Sequence, residues 1–183
     1  MPLPKSRPGE LENKTTYQQL DSQYAHNDPN GYNVAGMTDT DKREITAAYY
    51  AMIEHIDEGV GRMIAALEAT RQLENTIVIF MSDHGEMLGD HGIYLKGPHF
   101  YEEAVRVPLI FSWPKQFKTK LQADCLMELV DIAPTLLGAA GLDVPEAMQG
   151  KSLLPILRGE SDPATHRPHV FSEYYNAWSH KHS

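Results

Sequence analysis

The chain has 183 residues and a formal charge of −9 at pH 7, from 25 acidic and 16 basic side chains. This length predicts one domain, and the charge argues against a nucleic-acid partner, because phosphate binding needs clustered Lys and Arg. No apolar run approaches the ~18 residues of a membrane span. The start lacks the apolar core of a signal peptide, and the single Cys125 excludes an internal disulfide, so the compartment stays open.

The first part of the chain predicts an irregular segment followed by a long helix. Residues 1–40 are rich in Pro, Gly, Asn, Gln, Asp and Tyr without sustained periodicity, which is typical of a long surface loop. Residues 41–73 repeat apolar side chains at three- and four-residue steps, which predicts one apolar helix face. Thr38 or Thr40 is the expected N-cap.

The second part alternates predicted strands and helices. The apolar run 76–81 directly follows the helix and predicts an interior strand of a parallel sheet. Three further strands are predicted, over 107–111, 126–130 and 169–175. Two further helices are predicted, over 131–141 with Pro134 in the first turn and Asp131 as cap, and over 152–158 before Gly159. This alternation predicts an α/β fold.

Two side chains that can bind a metal follow the first predicted strand. Asp83 offers an anionic oxygen and His84 an imidazole, and ligands bind at the carboxyl ends of strands in open α/β sheets. If the loop bends at Gly85, both side chains can face one ion. An Asp at such a turn is more often a backbone cap than a ligand, so both roles remain open from these residues alone.

The glycine-rich loop beyond Gly85 holds further polar residues. Asp90 and His91 repeat the Asp-His-Gly triplet, and we expect them to brace the loop rather than to complete a metal site, because such loops need internal hydrogen bonds. Lys96 precedes the turn signal Gly97-Pro98, and His99 follows it. A loop lysine is usually solvated, but beside a cation site it would supply positive charge to an anionic substrate.

Five segments together resemble the sulfatase family, which belongs to the alkaline phosphatase superfamily. The linked motifs are more specific than Asp-His alone. They are SDHGEMLGDHG at 82–92, KG at 96–97, YEEAVRVPLI at 101–110, VDIAPTLL at 130–137 and GKSLLP at 150–155. The resemblance implies an α/β fold that is part of an alkaline-phosphatase-like, mostly parallel sheet with flanking helices. It divides the chain into an irregular surface segment at 1–40, the C-terminal part of a catalytic domain at 41–175 and a tail at 176–183.

The resemblance also implies roles for four residues. Asp83 and His84 would be two ligands of the active-site divalent cation, and Lys96 would contact the sulfate group of a sulfated small molecule or saccharide. His99 would be a substrate contact, with the weaker basis that a histidine there occurs in only part of the family. The family's usual metal is calcium, while His84 keeps manganese or zinc open, because imidazole suits these metals and calcium prefers oxygen.

One family feature is absent from the sequence. Sulfatases carry a Cys/Ser-x-Pro/Ala-x-Arg motif whose first residue becomes formylglycine, together with an acidic pair that completes the metal shell. Cys125 lacks this context and is interpreted as a buried thiol, and Ser161 has Pro163 but Thr165 in place of Arg. We therefore expect this chain to be a C-terminal part of the catalytic domain, with formylglycine in an N-terminal part. We expect the chain to be inactive alone and prone to self-association.

Two alternatives remain beside a sulfuric ester hydrolase. A phosphonate or phosphate ester hydrolase of the same superfamily is compatible with His84, and a non-catalytic truncated fragment is compatible with the absent nucleophile.

Other residues are expected to be structural or solvated. Glu102 and Arg106 have the spacing of a surface ion pair, and His26 lies in a turn-forming segment.

Overall fold

The computed structural model describes residues 1–25 and 30–174. His26 and the tail at 176–183, both considered above, lie outside the described residues. The chain divides into two compact units, Met1–Thr70 with Met81–Leu109, and Arg71–Phe80 with Ile110–Ser183. No helix in the described part is long and apolar enough to cross a lipid bilayer.

The first unit begins with a segment that is more ordered than its composition predicts. Helix α1 spans Thr16–Asp21, and an isolated antiparallel bridge joins Tyr24 to Asn33. Ala25 and Val34 are buried together with Tyr94. Residues 1–40, predicted as an irregular surface segment, therefore contribute side chains to a small apolar core.

The long helix α2 spans Asp39–Ala69, close to its predicted bounds. Thr38 is the cap: its hydroxyl accepts the Asp41 N–H at 3.2 Å, and the Asp41 carboxylate accepts the Thr38 N–H at 2.7 Å. These bonds hold the pKa of Asp41 below its usual value. The helix ends four residues earlier than predicted, where the Thr70 hydroxyl donates to Ala66 O at 2.8 Å and Arg71 adopts a left-handed φ of 57°. A short 3₁₀ turn, Leu73–Asn75, follows it.

Two of the predicted strands form. Strand β1 spans Val78–Met81 and strand β2 spans Leu109–Ser112, and they pair in a two-stranded sheet. Between them lie a 3₁₀ turn at Asp90–Gly92 and the short helix α3, Glu102–Val105. On α3 the predicted pair of Glu102 and Arg106 is confirmed as an exposed contact of 3.5 Å. The loop that carries Asp83 and His84 thus follows β1 directly.

The second unit has two further helices, α4 at Ile132–Ala139 and α5 at Leu154–Leu157. Their predicted glycine ends are confirmed, with left-handed φ values of 72° at Gly141 and 73° at Gly159. Asp131 precedes α4, but its carboxylate makes no cap hydrogen bond to that helix. It is instead fully buried and accepts the Lys151 N–H at 2.8 Å.

The predicted strands at 126–130 and 169–175 are wrong within the described residues. The first ends in a 3₁₀ turn, Leu129–Asp131, because the Asp131 carboxylate accepts the Glu128 N–H at 3.0 Å. The described part of the second, 169–174, is irregular, and Phe171 N–H donates to the Glu128 side chain at 2.6 Å. In both segments a side-chain carboxylate takes the backbone donor that a strand would pair.

Candidate functional site

Asp83 and His84 lie just beyond the end of β1, as predicted. The Asp83 side chain is 82% exposed, and its Oδ1 atom lies 3.8 Å from His84 Nε2. The same Oδ1 accepts the His84 backbone N–H at 3.0 Å, so Asp83 does act as a backbone cap. Its exposure leaves the other carboxylate oxygen available to an ion.

The hydrogen bonding of His84 selects the tautomer that suits a metal ligand. His84 Nδ1 lies 2.8 Å from the carbonyl oxygen of Gly85. Because a carbonyl can only accept, Nδ1 carries a proton, and in the neutral ring Nε2 then keeps the lone pair that can bind a cation. Ser82 fixes the adjacent backbone by donating its hydroxyl to His84 O at 2.6 Å.

Gly85 makes the bend possible through close backbone approach. Its N–H donates to Ala104 O at 2.8 Å. A Cβ added at Gly85 would lie 1.8 Å from the carbonyl oxygen of Glu103, far inside contact distance. Only glycine fits here, and the two metal-binding candidates therefore start a loop that is held against α3.

The loop that follows is closed by the Glu86 carboxylate together with backbone hydrogen bonds from Met87 N–H to Leu95 O and from Gly89 N–H to Ile93 O. Glu86 Oε1 accepts the N–H of Leu88 at 3.1 Å and that of Leu95 at 2.6 Å. Met87 and Ile93, both in the loop, are fully buried and pack with Ala104. Glu86 thus joins the beginning of the loop, two residues after His84, to its end, one residue before Lys96.

The predicted bracing role of Asp90 and His91 is confirmed, but their partners come from the start of the chain. Asp90 Oδ1 accepts the Lys5 N–H at 2.6 Å. His91 Nδ1 lies 2.6 Å from Glu10 Oε1, and this hydrogen bond lowers the pKa of the Glu10 carboxyl. The His91 ring also stacks on Tyr101, with centroids 4.1 Å apart.

Lys96 and His99 have opposite environments. Lys96 is exposed, so its ammonium is open to an anionic ligand. The His99 side chain is only 3% exposed, and its Nε2 lies 2.8 Å from Asp21 Oδ2. The roles of Lys96 with sulfate and of His99 with a substrate stay predictions.

Asp83 and His84 fit part of a cation shell. They place a carboxylate oxygen and an imidazole nitrogen close together, a donor pair that Mn²⁺ or Zn²⁺ accepts and that Ca²⁺ uses with further oxygens. Over residues 1–25 and 30–174, no group of three or more His, Cys, Asp or Glu side chains is arranged to hold a metal. A tight site would need more ligands than these two.

Cys125 is half-buried, and burial raises the pKa of its thiol. This environment disfavours the thiolate and agrees with its interpretation as a packing residue rather than a nucleophile.

Sequence reasoning missed the residues that hold the loop, namely Glu10, Asp21 and Glu86. Glu86 carried a local signal, since an acid in a glycine-rich loop can accept free backbone donors. Glu10 and Asp21 carried none, because their partners lie 81 and 78 residues away.

The loop beyond β1 carries an acid, an imidazole and a lysine, and the chain has the fold of an alkaline-phosphatase-like α/β protein. Comparison with solved structures supports this class. A 2-O GAG sulfatase matches with a TM-score of 0.76 and 30% identity, over 91% of this chain and 36% of that one. The phosphonate monoester hydrolase from Silicibacter pomeroyi matches with a TM-score of 0.75 and 30% identity, over 88% and 32%. The predicted fold class is therefore confirmed.

The family follows from the sequence comparisons. The sulfatase family model matches residues 13–142. An N-acetylglucosamine-6-O-sulfatase from Bacteroides thetaiotaomicron is 35% identical over 174 residues, which cover 93% of this chain and 30% of that protein. The chain belongs to the sulfatase family, and its sequence resemblance to that family is confirmed. It spans about a third of the length of these relatives.

Proposed function

We propose that this chain supplies the cation-binding and anion-binding part of a sulfuric ester hydrolase that acts on a sulfated saccharide. One observation carries the proposal: the Asp83–His84 pair and Lys96 lie on a single loop whose two ends are joined by Glu86. The relative named N-acetylglucosamine-6-O-sulfatase supports the substrate class.

Each residue has a distinct task in this proposal. Asp83 through its carboxylate and His84 through Nε2 hold the divalent cation, which when bound polarises a sulfuryl oxygen as a Lewis acid. The exposed Lys96 ammonium binds the sulfate oxygens and stabilises the negative charge that grows on them in the transition state. Calcium, manganese and zinc remain candidates for the cation.

The nucleophile is proposed to come from sequence outside these 183 residues. No cysteine or serine of the chain is followed by Pro or Ala at the second position and Arg at the fourth. The chain by itself is therefore proposed to bind parts of the substrate without turning it over, and formylglycine would be supplied by an N-terminal part of a complete catalytic domain.

The test of the proposal is the substitution Lys96→Ala in a complete protein that carries matured formylglycine. Loss of one charge aimed at the transition state should lower kcat by about 10² to 10³, with a smaller change in KM. Lys115→Ala is the matched control, because Lys115 is an exposed lysine whose ion pair among the described residues is a 3.8 Å contact with the surface residue Glu74. An unchanged kcat for Lys96→Ala would refute its role, and turnover by the 183-residue chain alone would refute the external nucleophile.

A phosphonate ester hydrolase is the second candidate, because the similar solved structure from Silicibacter pomeroyi is a phosphonate monoester hydrolase. His84 favours it, since a nitrogen ligand suits Mn²⁺ or Zn²⁺ better than Ca²⁺. Parallel assays with an aryl sulfate and an aryl phosphonate decide between the two. A higher kcat/KM for the phosphonate would select the second candidate.

A further inference from the structure

A buried ionisable pair lies next to the candidate anion-binding lysine. Asp21 Oδ2 and His99 Nε2 are 2.8 Å apart, and their side chains are 4% and 3% exposed. Asp21 is the last residue of α1, and His99 follows the Lys96–Gly97 turn. A buried pair of this kind costs desolvation and is weak evidence for stability by itself. What it can supply is a fixed geometry.

The pair packs directly against the backbone of Gly97. Gly97 has a left-handed φ of 50°, and a Cβ added to it would lie 2.7 Å from the His99 ring and 3.0 Å from Asp21 Oδ2. The turn residue is therefore covered by both members of the pair at once. Since Gly97 directly follows Lys96, the pair fixes the backbone on one side of the lysine.

Helix α1 makes a second contact with the same stretch of chain. Gln18 Nε2 donates to the Tyr101 hydroxyl at 2.8 Å. Gln18 and Asp21 are three residues apart and share one side of the helix. Asp21 contacts His99 and Gln18 contacts Tyr101, so α1 is bonded to residues 99–101 at two points.

The backbone on the other side of Lys96 is also held. Leu95 donates its N–H to Glu86 at 2.6 Å, and its side chain packs on the cluster of Ala25, Val34 and Tyr94. The Lys96 side chain is thus exposed while its backbone is fixed before and after it. Such an arrangement suits a residue whose flexible stem must deliver its charge to one place.

We propose that the Asp21–His99 pair is a positioning device for Lys96, through which helix α1 sets where the lysine ammonium stands. His99 acts through the turn and does not itself contact the substrate. The proposal rests on the proposed function for the role of Lys96, but not for the existence of the anchor. Displacement of a catalytic charge by about 1 Å can cost 10²-fold in rate, which is the benefit of holding the turn.

The anchor is tested first on the 183-residue chain by limited trypsin digestion, which reports local opening at the Lys96–Gly97 bond. Asp21→Ala and His99→Ala should each raise cleavage after Lys96 about 10-fold relative to cleavage after Lys115, which lies in the other unit. Glu102→Gln is the control, because it removes the charge of an exposed acid whose contact, over residues 1–25 and 30–174, is the surface pair with Arg106. Melting curves identify variants that have lost the fold as a whole.

A double substitution makes this test independent of general destabilisation. If the two residues act as one pair, Asp21→Ala combined with His99→Ala should open the turn no more than either change alone. Asp21→Asn keeps a hydrogen-bond acceptor and should recover part of the protection. Unchanged cleavage after Lys96 in the single variants would overturn the anchor. So would a double variant whose increase in cleavage equals the product of the two single increases.

The effect on catalysis is tested in the complete protein with matured formylglycine. Asp21→Ala and His99→Ala should each lower kcat about 10-fold or more with less than a threefold change in KM, and neither should lower kcat further when Lys96 is already Ala. The opposite result in the Lys96→Ala background is that His99→Ala lowers kcat further while Asp21→Ala does not. That result would make His99 a direct substrate contact and overturn the proposal. A protein with no sulfatase or phosphonatase activity would refute the proposed function and the role in catalysis, while the digestion result would still decide the anchor.

Discussion

Glu86 Oε1 and the backbone N–H of Leu95 are joined by a hydrogen bond of 2.6 Å across the glycine-rich loop. The same oxygen accepts the Leu88 N–H at 3.1 Å. Because Glu86 follows His84 by two residues and Leu95 precedes Lys96, one carboxylate connects the candidate cation ligands with the candidate anion ligand. The geometry of the site therefore depends on a residue that need not contact the substrate.

The first prediction is that Glu86→Ala destabilises the chain by about 2–3 kcal/mol, because two backbone donors lose a charged acceptor. Glu86→Gln retains an amide oxygen and should cost less. Urea unfolding measures both, with Glu102→Ala as the control, since Glu102 is an exposed acid whose side-chain contact in the described part of the chain is a surface ion pair. Equal stabilities for Glu86→Ala and Glu102→Ala would contradict the closing role of Glu86.

The second prediction concerns Gly85. An alanine there would place its Cβ 1.8 Å from Glu103 O, so Gly85→Ala should destabilise by roughly 2–4 kcal/mol through overpacking against backbone. Gly61→Ala is the matched control, because Gly61 lies in α2 with nothing within 4 Å of the new Cβ. That control should stabilise by about 0.5–1 kcal/mol. Thermal or urea unfolding gives both values, and a neutral Gly85→Ala would show that the approach to Glu103 is not needed.

The third prediction is a pH dependence from Glu10. Its hydrogen bond with His91 holds the pKa of the carboxyl below its ordinary value of 4.5. A lowered folded pKa adds stability that is present above the ordinary pKa and is lost as the pH falls through the lower folded value. The wild-type chain should therefore melt at a higher temperature than Glu10→Gln near neutral pH, and the difference should disappear in acid. Melting curves from pH 7 to pH 3 test this.

The control for Glu10 is Glu12→Gln, an exposed acid in the same segment. Glu12→Gln should retain the loss of stability in acid that Glu10→Gln removes. A difference between wild type and Glu10→Gln that stays constant over the whole range would mean that ionisation of Glu10 does not strengthen its contact with His91.

The elements that the sequence predicts well depend on near neighbours. The start of α2 at Thr38 and the ends of α4 and α5 at Gly141 and Gly159 follow from cap and turn chemistry within a few residues. The strand predicted at 126–130 is wrong, because the prediction rested on apolar composition alone. The conformation of this segment depends on Asp131, whose distant partners Lys151 and His166 lie 20 and 35 residues away. Asp131 is buried beside His166, accepts the Lys151 backbone N–H, and holds the preceding chain in a turn by accepting the Glu128 N–H.

The same division applies to the candidate site. The residue types and their order on the loop were readable, because Asp83, His84 and Lys96 lie within one short segment. The support of that segment was not readable, since Asp90 with Lys5 and His99 with Asp21 are pairs separated by 85 and 78 residues. Contacts at that distance leave no periodicity or spacing for sequence reasoning to detect.

The fourth prediction is that the isolated chain self-associates. Several large apolar side chains of α2 are exposed, with Met63 at 61% and Ile56 at 55%. These two residues share one face of the helix by their spacing, and an exposed apolar face favours association. Sedimentation velocity should show the sedimentation coefficient rising with concentration. Ile56→Glu or Met63→Glu should reduce this rise, while Leu142→Glu, at an exposed leucine of the other unit, should change it less. A compact monomer at every concentration would contradict the prediction.

The fifth prediction is that the isolated chain binds divalent cations weakly, because the described residues supply only Asp83 and His84 at the candidate site. Calorimetric titration with Ca²⁺ and Mn²⁺ should show affinities weaker than micromolar, and Asp83→Ala should remove the binding of both. His84→Ala should weaken Mn²⁺ more than Ca²⁺, since imidazole contributes to the first and little to the second. Asp143→Ala, at an exposed acid of the other unit, is the matched control and should leave both titrations unchanged. Sub-micromolar binding that survives Asp83→Ala would place the cation elsewhere and remove the metal role from this loop.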